Sequence, residues 1–378
     1  MGRQTPISKI MLNNIQKCLS VYDTKNTHHR KQIKKSLLLA LSFFLLLTPL
    51  ANSSNNSSDC YYRTHIIKQQ LIHTVTINPN KYKIINTTAH AINKNVAHVA
   101  QIAHKYNAIV AVNGGFFREI NNNLFVPAGA LKIKNTWHGI AYQPRASIGW
   151  QANGNLVLID RLTTNTSVQI NDTKLPVYYF NPHYNTNQSN NHKVILYSNI
   201  YPNFNNLNTL DEQNFEVQEN GETTYIYNIN NNSLISKFSL TELESAKVSI
   251  NIIPQLEPDT LDLWKTVDFI TSGSPVLIKN HNVFSDYSKE KIASHFINNP
   301  HPRTAICILE NGFWKFAKTD SMTIPELANA MHILQCKDAI NLDGGSSSDM
   351  YLSKELSNSQ EFSSIVHPVT DAILVLPT

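Results

Sequence analysis

Apolar residues along this chain recur mostly at every second position, in short runs closed by Asn, Pro or Gly. That alternation marks half-buried strands. It runs from Tyr61 through Ile66 to Ile77, stops at Asn78-Pro79-Asn80 and resumes over residues 81–85. Further strands are predicted at 131–133, 156–159, 247–253 and 372–376. Residues 137–150 read as a hairpin turned at Gln143-Pro144, and 305–317 as a second one turned at Asn311-Gly312. Two stretches change to helical spacing. In 90–106 the apolar positions are Ile92, Val96, Val99, Ile102, Ala103 and Tyr106. After Thr323 they are Ile324, Leu327, Met331 and Leu334, opened by a Thr323…Glu326 capping box. Many strands and two clear helices predict an α+β fold: mixed, largely antiparallel sheets flanked by helices. One domain is expected over 61–378, with Asn-rich loops at 181–232.

The first fifty residues follow another pattern. Eight Lys/Arg and one acid fall within the first 35, followed by a Leu- and Phe-rich run from Ser36 to Leu50. The run is short for a membrane span of about 20 residues. A basic flank, an apolar centre and a polar tract read as a signal peptide over 1–51, with an uncleaved anchor as the alternative. Residues 52–60 are a polar linker. Cleavage places the mature start near Asn52, in a secreted, periplasmic or cell-envelope protein. The chain's net charge of +5 resides in this leader, so the remainder carries no basic patch calling for nucleic acid. Membrane contact is expected only through an uncleaved leader. Of four cysteines, Cys18 lies in the leader, and the other three allow at most one disulfide within the chain. Cys307 and Cys336 read as small core residues.

Candidate chemistry gathers at two glycine pairs. Residues 339–342 form a short apolar strand ending on Asp343, followed by Gly344, Gly345 and Ser346 to Ser348. Upstream, Ala108 to Val112 end on Asn113, followed by Gly114 and Gly115. Each unit is a helical stretch, a strand, then Asn or Asp and Gly-Gly. Glycines let backbone approach a ligand closely, and successive N–H groups can cradle an anion. Two polar strand ends of one design predict a single site, with Asn113 and Asp343 side by side on adjacent strands. His90, His98 and His104 lack metal-site spacing, and Ser346 to Ser348 do not form a nucleophile elbow.

Four stretches together resemble the phosphodiester glycosidase family: Val112-Asn113-Gly114-Gly115-Phe116-Phe117, Gly273-Ser274-Pro275-Val276-Leu277, Arg303-Thr304-Ala305 and Asn341-Leu342-Asp343-Gly344-Gly345-Ser346-Ser347. This chain departs from the family's pattern at Ser274 and Ser346, where glycine is usual, and side chains there are expected to narrow the cleft. The resemblance implies hydrolysis of a sugar-1-phosphodiester through an oxocarbenium-like transition state flanked by carboxylates. Asp343 is the first candidate for nucleophile or base, Glu119 the second carboxylate, and His301 a candidate general acid. Arg303, then Arg118 and Arg145, are candidates to fork onto the phosphate. Asn113, Ser346 and the N–H groups of Gly114, Gly115, Gly344 and Gly345 would hold sugar or phosphate oxygens. The expected partner is a phosphorylated carbohydrate or polysaccharide. Two alternatives stand beside this reading. A divalent cation held by Asp343, Asn113 and Asp349 would make a metal-assisted phosphodiesterase cutting P–O. A non-catalytic envelope protein would bind polysaccharide through the Asn-rich loops.

Overall fold

Alternation is what the strands need to bury one face or both, and the fold uses it both ways. The computed structural model describes residues 59–121, 124–134, 136–182, 194–201, 214–219, 222–229, 231–357 and 367–378. The leader expected over 1–51, and much of the Asn-rich stretch, lie outside them. The described residues fall within one unit, Asn56–Thr378. Among them no helix is long and apolar enough to cross a membrane.

A seven-stranded antiparallel sheet runs in the order Cys60–Ile67, Gln70–Ile77, Trp314–Met322, His301–Leu309, Cys336–Asn341, Val276–Lys279, Asn282–Val283. A four-stranded one runs Met350–Leu352, Val110–Asn113, Asp371–Pro377, Tyr82–Thr88. A ten-stranded sheet carries most of the rest, its Thr173–Phe180 and Val194–Ser198 strands pairing in parallel, and Phe117–Asn121 with Leu124–Pro127 form a separate two-stranded sheet. The fold is therefore α+β with mixed, largely antiparallel sheets, as the pattern predicts.

Period two explains the layering. On His301–Leu309, Ile306 and Ile308 enter a core with Val110, Val112, Ile148, Ile340, Ile373 and Val375. Ala305 and Cys307 face the other way, against Ile324, Leu327 and Met331 of the Ile324–Ile333 helix. Trp150 anchors the first core, with its ring 5.3 Å from Phe269 and from Trp314 and its Nε1 donating to Ile84 O at 2.9 Å. The capping box forms as predicted: Thr323 Oγ1 accepts the Glu326 N–H at 3.3 Å, and Glu326 Oε2 accepts the Thr323 N–H at 3.0 Å.

Three local expectations are corrected. Residues 90–106 are not one helix but a turn of 3-10 helix, Ala89–Ile92, and a later helix, Val99–Lys105. Asn93 stops the first in the left-handed region at φ 59°, and Ala97 instead exchanges backbone hydrogen bonds with Val369. Residues 137–150 hold no hairpin: Thr136–Gly139 pairs with Leu131–Ile133, whereas Arg145–Trp150 lies between Val157–Ile170 and Phe269–Ser272. Cys307 and Cys336 are buried as expected but joined, in a disulfide of Cα–Cα distance 5.6 Å across 29 residues. Spacing alone could not pair them, because the neighbouring strands bring them together. Cys336→Ala is expected to cost about 3 kcal/mol of unfolding free energy, measured by denaturant titration without reductant.

Candidate active site

Strand Val110–Asn113 is buried throughout and has a neighbour on each side, Met350–Leu352 and Asp371–Pro377. Cys336–Asn341 is likewise enclosed, by His301–Leu309 and Val276–Lys279. The two strands belong to different sheets, so their ends meet across the interface between sheets and not on adjacent strands as expected. The meeting itself is direct. Asn113 Nδ2 donates to Asp343 O at 2.9 Å, and the Asp343 N–H donates to Gly114 O at 3.3 Å.

All four stretches carrying the resemblance converge there. Thr304 Oγ1 donates to Asn113 Oδ1 at 2.7 Å, joining the arginine stretch to the first turn. Asn341 Nδ2 donates to Ser274 O at 2.7 Å, while the Ser274 N–H donates back to Asn341 O at 2.8 Å. Glycine is required here for close packing. A Cβ on Gly115 would lie 2.2 Å from Ser272 O, and one on Gly273 would lie 1.9 Å from Asn341 O. Only Gly345 of the two pairs has positive φ, at 64°, and it faces open space.

Asn113 is fully buried, and its amide is occupied within the protein: Oδ1 also accepts the Asp349 N–H at 3.1 Å, and Nδ2 also reaches Gly114 O at 3.2 Å. It holds Asp343 in place and offers no free group to a ligand. Asp343 remains partly exposed. Its Oδ1 accepts the Gly344 N–H at 2.9 Å, and the Ser347 side chain hydrogen-bonds to the carboxylate. Burial nonetheless pushes its pKa up to about 7, with the charge of Asp371 adding to the rise.

Asp371 is absent from the sequence-derived candidates. It is 1% exposed, accepts the Thr370 hydroxyl on Oδ1 at 2.9 Å and the Gly115 N–H on Oδ2 at 3.1 Å, and is itself pushed up to about 6 by burial. The available signal was the one that exposed Asp343: a carboxylate where a buried apolar strand changes to polar, here at the start of 371–377.

Arg303 is 0% exposed. Its Nε donates to Met322 O at 2.9 Å, and its Nη2 to Phe296 O at 2.6 Å and Asn299 O at 3.1 Å. Phe296 lies under the guanidinium at 4.4 Å. Among the described residues Nη1 has no partner, and it sits 3.3 Å from where a Cβ on Gly344 would be. Among the described residues no carboxylate pairs with Arg303. Burial lowers its pKa only to about 10, so it stays cationic at neutral pH.

Of the remaining candidates, Ser346 belongs to the second turn, and the others lie apart from the turns or behind them. Arg118 donates to Asn181 O at 2.5 Å and ties the Phe117–Asn121 strand to the end of Thr173–Phe180. Glu119 is exposed on that same strand. Arg145 Nη1 reaches Ser274 Oγ at 3.5 Å, behind the 273–275 turn. Ser274 is 1% exposed and donates its hydroxyl to the buried Glu290 at 2.6 Å, so it does not narrow a cleft. Ser346 is exposed beside Gly345, and His301 is half-buried opposite Met322. No group of three or more His, Cys, Asp or Glu among the described residues is placed to hold a metal ion. A cleft of about 770 Å³ opens elsewhere, along Tyr82–Thr88, and its lining contains neither Asp343 nor Arg303.

The Gly-Gly turns, the buried arginine and the Gly-Ser-Pro turn thus meet around one aspartate. Comparison bears out the resemblance: residues 198–376 match the model of the phosphodiester glycosidase family. The matched segment contains Arg303, Asp343 and Asp371, and the fold brings the earlier Asn113 turn to it. Among solved structures, a protein from Synechocystis superposes with TM-score 0.61 at 19% identity over 84% of this chain and 61% of its own. This chain thus spans about three-fifths of that protein's length. A Burkholderia pseudomallei K96243 protein, named as exported, gives TM-score 0.61 at 18% identity over 82% and 74%. The zebrafish N-acetylglucosamine-1-phosphodiester alpha-N-acetylglucosaminidase catalytic domain, auto-inhibited by its pro-peptide, gives TM-score 0.45 at 12% identity over 86% of each chain. No curated protein matches.

Proposed function

We propose that the protein is an exported hydrolase that cleaves the glycosidic C–O bond of a sugar-1-phosphodiester. The observation that carries this reading is a carboxyl whose pKa burial raises toward neutrality, close to a guanidinium that no carboxylate among the described residues pairs with. Asp343 is partly exposed with a pKa of about 7, and the unpartnered Nη1 of Arg303 lies beside the next residue, Gly344. A buried, unpaired guanidinium costs free energy unless an anion comes to it. A phosphodiester carries that anion. The phosphate is also a competent leaving group, so the reaction needs a base and anion stabilisation more than a strong acid.

In this reading Asp343 takes a proton from water as the water oxygen bonds to the anomeric carbon. The carbon–oxygen bond to phosphate breaks, and the phosphomonoester leaves with the electron pair, its charge held toward Arg303. The family match supports a hydrolase, and the Cys307–Cys336 disulfide supports an oxidising compartment. Because the base form of Asp343 is required, kcat/KM is expected to rise with pH through about 7.

The test is purified protein offered N-acetylglucosamine-1-phosphodiesters in ¹⁸O-water, with and without chelator. The expected result is chelator-insensitive hydrolysis with label in the free sugar. Label in the phosphate would overturn C–O cleavage, and binding without turnover would overturn the enzyme. Arg303→Lys is expected to lower kcat/KM at least about 100-fold, since an ammonium cannot keep the bonds to Met322, Phe296 and Asn299 and still present a donor beside Gly344. An equal loss in folding, read from the melting temperature, would reassign Arg303 to structure alone.

A further inference from the structure

Asp371 has no task in that chemistry. Its carboxylate is buried and both oxygens are occupied, so it meets no substrate. Its position is nevertheless specific. Its backbone carbonyl accepts the Gly114 N–H at 2.8 Å while its Oδ2 accepts the Gly115 N–H at 3.1 Å. The next carbonyl along, Gly114 O, accepts the Asp343 N–H at 3.3 Å. Asp371 and Asp343 therefore grip opposite sides of one glycine. The packing leaves no slack, since a Cβ on Gly114 would lie 1.7 Å from Asp371 Oδ2.

We propose that Asp371 is the positioning residue of this site: it clasps the 113–115 turn that holds Asp343, and it sets a negative charge behind the Asp343 carboxyl. This rests on the reading of Asp343 as the base. The donors to Asp371 are a hydroxyl and an amide, both neutral, and among the described residues no cation pairs with it. Its charge is therefore felt by its neighbour. Burial is the larger cause of the raised Asp343 value and Asp371 the added one. The Thr370 hydroxyl and the Gly115 N–H both favour the charged form of Asp371. The other ionisable groups around the turn are Arg303 on the His301–Leu309 strand, Asp349 after the turn, and His367, whose N–H donates to Ser346 O. A base is most effective when its pKa lies near the working pH.

The experiment follows the carboxyl ¹³C resonances of aspartate-labelled full-length protein against pH, with Asp343 assigned by its loss in Asp343→Asn. In Asp371→Asn the Asp343 midpoint is expected to fall by about one pH unit. It should stay above the ordinary carboxylate range, because burial persists. The acidic limb of kcat/KM should move by the same amount, which a merely structural residue would not cause. Thr370→Val removes the hydroxyl bond to Asp371, disfavours its charge and should lower the midpoint by less. That variant carries the test if Asp371→Asn does not fold. An unchanged Asp343 midpoint in the folded variant overturns the proposal. A shifted midpoint in a protein that cleaves no sugar phosphodiester upholds the coupling and overturns only the assigned reaction.

Discussion

Asp343→Asn is expected to abolish turnover and, above pH 7, to make the protein more stable. The folded carboxyl titrates at about 7 against an ordinary 3.8, so between those values the folded state holds its proton more tightly than the unfolded state. Stability contributed by this group is present at low pH, falls as pH rises through that window, and stays lost beyond it. An amide never ionises, so the variant escapes the loss while keeping an oxygen for the Gly344 N–H. The expected gain is roughly 1–3 kcal/mol at pH 8 and near zero at pH 4. Thermal unfolding at the two pH values measures it. Equal changes at both would mean that shape, not charge, is responsible. The conflict between activity and stability is what a functional carboxyl in a desolvated place should show.

Gly114→Ala is expected to be among the most damaging single-methyl changes in the chain, at about 3 kcal/mol or more. The new carbon would lie 1.7 Å from Asp371 Oδ2 and 2.5 Å from its Cγ, with the Asp371 backbone only 3.0 Å away. Relief requires moving Asp371, which gives up the bonds to Thr370 and Gly115 and leaves a buried carboxyl without donors. Gly345→Ala provides the control. There φ is +64° with nothing within 4 Å, so only left-handed strain of about 1 kcal/mol applies. Similar losses at both positions, read by denaturant titration, would sink the close-packing account.

The same two glycines show how far the sequence could be read. Gly-Gly following a polar strand end marked both turns, and the turns do meet. The letters could not reveal that Gly114 is small to admit Asp371 while Gly345 is small to turn left-handed. Strand alternation and the Thr323…Glu326 box are local signals, and they survive in the fold. The 90–106 periodicity was equally local but gave way to the bridge between Ala97 and Val369, which nothing nearby in the chain announces. Asn113 was legible as a place and not as a role, because its amide is used up by Thr304, Asp349 and Asp343, which lie far along the chain. Asp371 was passed over for a related reason. It opens a strand without a glycine beside it, and its hold on the 113–115 turn joins residues 256 apart in sequence.

The Asp371–Pro377 strand lies between Val110–Asn113 and Tyr82–Thr88, and its link to Gly115 spans 256 residues. The innermost ladder of the four-stranded sheet is thus closed by the last of the described strands to be synthesised. A growing chain can already carry Arg303 and Asp343 while the central slot of this sheet is still vacant. On the proposed reading, ribosome-bound polypeptides lacking this strand would be silent toward a sugar phosphodiester, and competence would arrive only once it docks.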